Sequence, residues 1–337
     1  MKHIVILTTG GTIAMRHDED AGGAVPALSG VDLQSSIGSI PHELTTESVC
    51  NLPSAHFTLS TLWEIQNRAA ALADMPDVNG IVVTHGTDVL EETALLLDLT
   101  VDSDKPLVLT GAMRTASDAG YEGFANLAGA VQVAASAAAR GQGTLVVLND
   151  TVHAARYVTK THTQALDTFR SPGWGPLGRI DADGLRLVWR VRRRTIQASR
   201  LEDRVVLLKL GVGAEADLFR QALQMDARGV VIEALGGGRV PPWWLDTIGS
   251  AVQEGATVVV TSRCGEGRVG DRYGYPGAQR DLRRLGCLPG GCLNGQKARM
   301  ALMIALGAGL RGDALRSEWC RIAELGQWNA GRPAATG

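Results

Sequence analysis

Three short stretches carry side chains able to do nucleophilic or acid–base chemistry, and each follows an apolar run. In "ILTTGGTIAM" (residues 6–15), Gly10 and Gly11 precede Thr12. Glycines accept φ > 0 and let a ligand approach backbone N–H groups, so this turn can present the Thr12 hydroxyl beside oxyanion donors. A plain strand turn, its glycines packed on a helix, is the other reading. In "THGTDVLEETALLLDL" (84–99), the turn holds His85, Gly86, Thr87 and Asp88, a hydroxyl next to a carboxylate. Asp88 and Glu91 also have capping-box spacing, and a capping aspartate at a helix start still lies at the end of a strand. In "RYVTKTHT" (156–163), Lys160 alternates with Thr159 and Thr161. A desolvated lysine exchanges protons with a hydroxyl; an exposed one is an ordinary surface lysine.

These turns need elements to hold them. "HIVILTT" (3–9), "GIVVTH" (80–85), "PLVLTGA" (106–112) and "TLVVLND" (144–150) are short β-branched runs, and helical patterns occupy 61–74, 89–99 and 123–140. Strands alternating with helices predict an α/β protein with a mostly parallel sheet, whose ligands bind beyond the carboxyl ends of the strands. The rhythm lapses in the turn-rich and charged stretch 171–204 and resumes in "VVLLKLG" (205–211), "GVVIEAL" (229–235), "ATVVVTSRC" (256–264) and a helix at 294–310. The predicted organisation is a larger N-terminal α/β domain (1–187), a linker (188–204), a smaller C-terminal α/β domain (205–328) and a frayed tail (329–337).

Composition bounds the function. The chain has 337 residues, 45% hydrophobic and 20% charged, longer than the roughly 250–300 residues that one core serves. A net charge of -2 and a pI near 6.4 supply no global attraction to nucleic acid or an acidic membrane, so a small neutral or amphoteric ligand fits better. The basic cluster Arg190, Arg192, Arg193 and Arg194 has no interleaved aromatics and is read as a solvated connection or subunit contact. Five cysteines without a CxxC pair and seven scattered histidines suggest neither disulfides nor a metal site. The N-terminal apolar run is too short for a signal peptide, and no run of eighteen apolar residues follows, so a cytoplasmic protein without membrane contact is expected.

Taken together, "TTGGTIA", "THGTDVLEET", "GAMR" (111–114), "VTKT" (158–161) and "NGQKAR" (294–299) resemble, in order and spacing, the bacterial L-asparaginases and glutaminase-asparaginases. The likeness runs from residue 1 to about 325. It implies a cofactor-free threonine amidohydrolase acting on a small amino-acid amide. The implied assembly is a homotetramer of intimate dimers with active sites at the intimate-dimer interfaces. Carried over by motif, the nucleophile falls on Thr12, and the second threonine, aspartate and lysine on Thr87, Asp88 and Lys160. Ser54 in "NLPSAH" matches a serine that holds the substrate's α-carboxylate, and Gly11 and Ala112 complete the expected substrate contacts.

Four positions depart from the family pattern. Residues 16–30, where the family commonly has a lid tyrosine, contain none, which leaves Tyr121, Tyr273 and Tyr275 as substitute hydroxyls. Gly22 and Gly23 with the charged run before them still suit a closing lid. Ala55 replaces a glutamine. Gln279 stands near the family's glutamate from a neighbouring subunit, and Arg239 in "GGGRVP" stands near an asparagine, so both are candidate substrate contacts and suggest a D-, N-substituted or more acidic amide. Two other classes compete. A non-catalytic amino-acid binder needs Asp88 and Ser54 but not Lys160, and the GxGxxA in "KLGVGAEADLF" (209–219), with Glu233 beyond it, is a weak dinucleotide fingerprint.

Overall fold

The computed structural model describes residues 1–325 except Ser39, Arg192 and Asp271; the tail expected at 329–337 lies outside the described residues. The chain divides between Thr195 and Ile196 into two units.

The first unit opens with β1 (His3–Thr8), β2 (Met15–Asp18), β3 (Gly23–Pro26), α1 (Gly30–Ser36), β4 (Glu43–Ser48) and α2 (Leu59–Asp74). It continues through β5 (Gly80–Thr84), α3 (Leu90–Thr100), β6 (Leu107–Thr110), α4 (Gly123–Ala135), β7 (Thr144–Leu148) and β8 (Thr151–Ala154). Two antiparallel pairs close it: β9 (Thr159–Lys160) with β10 (Phe169–Arg170), and β11 (Gly178–Asp181) with β12 (Gly184–Leu187). The main sheet has eight strands in the order β12-β11-β8-β7-β6-β5-β1-β4. The run from β7 to β4 is parallel, and β8, β11 and β12 extend it antiparallel at one edge.

Side-chain alternation explains the layers. Along β1, Val5 and Leu7 face one core with Ile81, Val83, Leu107 and Leu109, covered by Ile65, Ala69 and Leu72 of α2 and by Leu90, Ala94 and Leu97 of α3. Ile4 and Ile6 face the opposite core with Val82 and Val108, beneath Leu127, Ala130 and Ala134 of α4. Both faces of each central strand are therefore apolar, as a sheet covered on both sides requires. The parallel register sets Thr8 beside Thr84 and Thr84 beside Thr110, so β1, β5 and β6 release their loops at one level. Those loops contain Thr12, Thr87 and Ala112.

Several local expectations change. Helix α4 stops at Ala135, where the Ser136 side chain accepts the N–H of Ala138 and starts a separate 3-10 turn. Residues 171–204 are not uniformly irregular, since β11 and β12 pair across a turn that ends at Gly184 with φ +121°. Residues 188–204 are pinned at both ends. Val188 N donates to Leu177 O and the Trp189 indole to Pro176 O in the first unit, while in the second Glu202 N donates to Met303 O.

The second unit contains β13 (Val205–Lys209), α5 (Asp217–Gln224), β14 (Gly229–Ala234), α6 (Leu245–Gln253), β15 (Thr257–Ser262), α7 (Gln279–Arg284), β16 (Leu288–Pro289), α8 (Gly295–Gly307) and α9 (Gly312–Ile322). Its four strands are parallel in the order β13-β14-β15-β16. Phe219, Trp244 and Ile248 pack on one face, and α8 lies against β13 and β14. No helix among the described residues is long and apolar enough to cross a membrane.

Candidate active site

The loop after β1 is shaped by what its glycines lack. Gly10 and Gly11 have φ of +90° and +84°. A Cβ on Gly10 would lie 2.5 Å from Leu52 N, and one on Gly11 would lie 2.4 Å from Gly86 Cα. Any side chain at Gly11 would push the first loop away from the second. Gly11 N donates to Leu52 O and Leu52 N to Thr9 O, each at 3.2 Å, which fixes the turn from outside. Thr12 then opens a 3-10 turn, Thr12–Ala14, and is half-buried. Because Gly11 touches Gly86, the residues that follow them, Thr12 and Thr87, emerge on the same rim.

The second loop is held from beneath by Ser54. Its buried hydroxyl accepts the N–H of Asp88 at 3.2 Å, and a Cβ on Gly86 would lie 2.6 Å from the same oxygen. Thr87 is buried and the Asp88 carboxylate exposed. Lys160 arrives from the β9–β10 pair and joins them. Its Nζ donates to Thr87 Oγ1 at 2.9 Å and to Asp88 Oδ1 at 2.8 Å. A hydroxyl, an amine and a carboxylate thus form one hydrogen-bonded chain, with the Lys160 side chain only 18% exposed.

The capping-box reading of Asp88 and Glu91 does not hold. Helix α3 starts at Leu90 behind Val89, with no side-chain cap. Asp88 turns to Lys160 instead, and Glu91 Oε1 accepts from Thr159 Oγ1 at 2.8 Å and Lys160 N at 3.3 Å. Lys160, brought from about seventy residues away, offers Asp88 a charged partner, which outweighs a neutral backbone N–H, while Glu91 accepts a hydroxyl and a backbone N–H of the same segment. Ala112 is wholly buried among the apolar side chains beneath α4. Gly111, before it, gives its carbonyl to Asn126 Nδ2 at 2.9 Å.

The expected lid is a β-hairpin, with Met15 opposite Pro26 and Asp18 opposite Gly23. His17 N donates to Ser117 Oγ at 3.0 Å and Ala116 N to Met15 O at 2.9 Å, tying it to the loop after β6. Of the three substitute hydroxyls, Tyr121 lies beside the Thr12 turn, where it donates to Ile13 O at 2.6 Å. Burial, with the charge of Glu122, pushes its phenol far above the usual range. Tyr121 thus anchors the backbone of the Thr12 turn.

Tyr273 and Tyr275 stack on each other in the second unit. There the Arg239 guanidinium sits 4.9 Å over the Tyr273 ring and donates to the Tyr275 hydroxyl at 3.3 Å. Arg239 lines a cavity of about 360 Å³ with Val212, Leu235, Trp243 and Tyr275. Gln279 is buried and its amide donates to Gly238 O, so it holds the turn that carries Arg239. Glu233, the acidic residue of the dinucleotide alternative, is ion-paired with Lys209 at 3.2 Å.

Comparison with known proteins decides the family. Residues 3–193 match the model of the asparaginase N-terminal domain, and residues 204–317 that of the glutaminase/asparaginase C-terminal domain. The chain belongs to the asparaginase family. This asparaginase-family chain is 34% identical to an L-asparaginase of Bacillus licheniformis, across 95% of its own length and 99% of the relative's. It is 38% identical to L-asparaginase 2 of Bacillus subtilis, across 91% and 83%. A crystal structure of a probable cytoplasmic L-asparaginase from Campylobacter jejuni superposes with a TM-score of 0.85 at 29% identity, across 95% and 99%. The chain is an L-asparaginase-like amidohydrolase acting on C–N bonds. The C-terminal family match includes the GxGxxA stretch, which leaves no separate dinucleotide domain to assign there.

His85 shows how buried this rim is. Its ring is inaccessible, packs edge-on to Phe57 and bonds the Gly86 carbonyl at 2.6 Å through Nδ1. Burial lowers its pKa to about 4, against an ordinary 6.5, with the Gly86 hydrogen bond opposing the shift. The unfolded chain therefore takes up a proton that the folded chain refuses as pH falls from about 6.5 to about 4. Folding should lose about 3 kcal/mol over that window. Denaturant titrations at both pH values should show this loss in the native protein and not in His85→Gln; equal losses in the two contradict it. Gly11→Ala should cost roughly 2–4 kcal/mol, read as a fall in the denaturant midpoint, because strain and collision act together. An unchanged midpoint would refute the Gly11–Gly86 constraint.

Proposed function

We propose that the chain hydrolyses L-asparagine to L-aspartate and ammonia through an acyl-enzyme on Thr12. The carrying observation is the continuous contact of Thr87, Lys160 and Asp88 on the rim from which Thr12 emerges. Thr12 Oγ1 attacks the carboxamide carbon, and its proton leaves along a path that ends on ammonia as the C–N bond breaks. The Gly11 N–H is taken by Leu52 O, so the developing oxyanion is assigned to backbone N–H groups beyond Gly11. Water then attacks the ester carbon with Thr87 as the polarising hydroxyl, its proton passes to Thr12 Oγ1 as the ester C–O bond breaks, and the Thr12 hydroxyl is restored. Lys160 carries protons to and from Thr87, which requires its amine to pass through the neutral form.

Substrate recognition follows the charges. Asp88 has an exposed carboxylate suited to an α-ammonium, and the Ser54 hydroxyl beneath its N–H is the expected donor to the α-carboxylate. A contact from Gln279 belongs, on the family likeness, to a neighbouring subunit of a homotetramer. That assembly and a cytoplasmic location are parts of the proposal, and relatives are described in both cytoplasm and periplasm. Lys160 separates an enzyme from a mere binder, since an amino-acid pocket has no need of an amine on Thr87.

Ammonia release should be measured across L-asparagine, D-asparagine, L-glutamine and N-substituted amides. L-asparagine should turn over fastest, and Thr12→Ala should lose about four orders of magnitude or more. Asp88→Ala should weaken substrate capture by roughly 10- to 100-fold, the worth of one charge-assisted hydrogen bond. Release of ammonia from L-asparagine undiminished in Thr12→Ala would overturn the mechanism, and turnover of another amide alone would overturn the substrate.

A further inference from the structure

Both ends of Lys160 are referenced to one turn of chain. Its ammonium end meets Thr87 Oγ1 and Asp88 Oδ1, and its backbone N–H donates to Glu91 Oε1. The same Glu91 oxygen accepts the hydroxyl of the preceding residue, Thr159, at 2.8 Å. Residues 87–91 lead into and begin α3, which is packed against α2 and the sheet. The segment that carries Lys160 is a short hairpin. β9 is two residues long and pairs with Phe169 and Arg170 of β10, and Thr161 N and Oγ1 extend the pairing to Thr168 O; these bonds tie the segment to its own short hairpin, whereas Glu91 ties it to α3.

We propose that Glu91 is a positioning residue for Lys160. It does not meet the amide; it sets the Lys160 backbone at the distance from which Nζ reaches Thr87 Oγ1. The carboxylate is suited to this work because it is only 5% exposed, starts from a rigid helical turn and accepts two hydrogen bonds at one oxygen. Its charge is also favoured at a helix N-terminus. Without Glu91, β9 can shift by an ångström while the fold persists, and a shift of that size at a proton-transferring group costs about 100-fold in rate. Substrate capture by Asp88 and Ser54 depends far less on the position of β9, so the loss falls on kcat rather than KM. Glutamine keeps the accepting oxygen and should restore the position.

This inference rests on the proposed roles of Thr87 and Lys160, and the test separates the two. Steady-state ammonia release from L-asparagine is measured for the native protein and for Lys160→Met, Glu91→Ala, Glu91→Gln and Thr159→Val, with thermal midpoints recorded for each. Lys160→Met should lose about 1,000-fold in kcat. Glu91→Ala should lose about 100-fold in kcat with KM within about threefold. Glu91→Gln should return to within about fivefold of the native rate, and Thr159→Val, which removes one of the two hydrogen bonds and little volume, should lose about tenfold. If Lys160→Met is as fast as the native protein, the proton-relay reading falls and the positioning role with it. If Lys160→Met is slow while Glu91→Ala and Thr159→Val, folded by their midpoints, keep the native kcat, the positioning role alone is overturned. Should Glu91→Ala fail to fold, Thr159→Val and Glu91→Gln decide.

Discussion

Gly11 lies against Gly86, and the site depends on that approach of two backbones. In-register parallel strands bring the loops after β1 and β5 to one level, but register alone leaves them a strand spacing apart. The missing side chains close the gap, since a single Cβ on Gly11 would stand 2.4 Å from Gly86 Cα. Thr12 and Thr87 are the residues immediately after those glycines. Ser54 supports the second loop through the Asp88 N–H, and Tyr121 supports the first through the Ile13 carbonyl. The rim is thus a set of backbone positions fixed by part-buried hydrogen bonds.

Charge is distributed on this rim so that it is either paired or exposed. Asp88 faces solvent and Lys160, whereas Glu91, three residues later, is buried and occupied by donors from β9. The two carboxylates start from the same helix end, where partial positive charge favours both. Their different environments give them different work: one is accessible to a ligand, the other to the protein. His85 completes the contrast as a polar ring enclosed so fully that it remains neutral.

The central strands were legible in the sequence because β-branched runs such as "GIVVT" have no polar face to hide. The edge strands were not. β4, "ELTTES", is polar along most of its length, and β11 and β12 lie in a stretch dense with Gly and Pro, although the Asp183-Gly184 pair was a hairpin signal. Thr87, Asp88 and Lys160 were found by residue type and by family likeness, and the structure brings them into one hydrogen-bonded chain. Glu91 was misread because D-x-x-E has the same spacing in a capping box as in a pair of lysine-segment acceptors; only the contact with Thr159 and Lys160 distinguishes them. The role of Tyr121 was hidden for the same reason, since its partner Ile13 is 108 residues away. Gln279 was a candidate substrate contact by family likeness alone, and the hold of its amide on the carbonyl of Gly238 could not be read from the sequence.

A crystal structure with L-aspartate bound tests the account most directly, because the product carries all three recognition groups. The β-carboxyl should lie against the hydroxyls of Thr12 and Thr87, the α-ammonium on Asp88 and the α-carboxylate on Ser54. Product bound only elsewhere, as in the cavity beside Arg239, with the Thr12–Thr87 rim vacant, would contradict it.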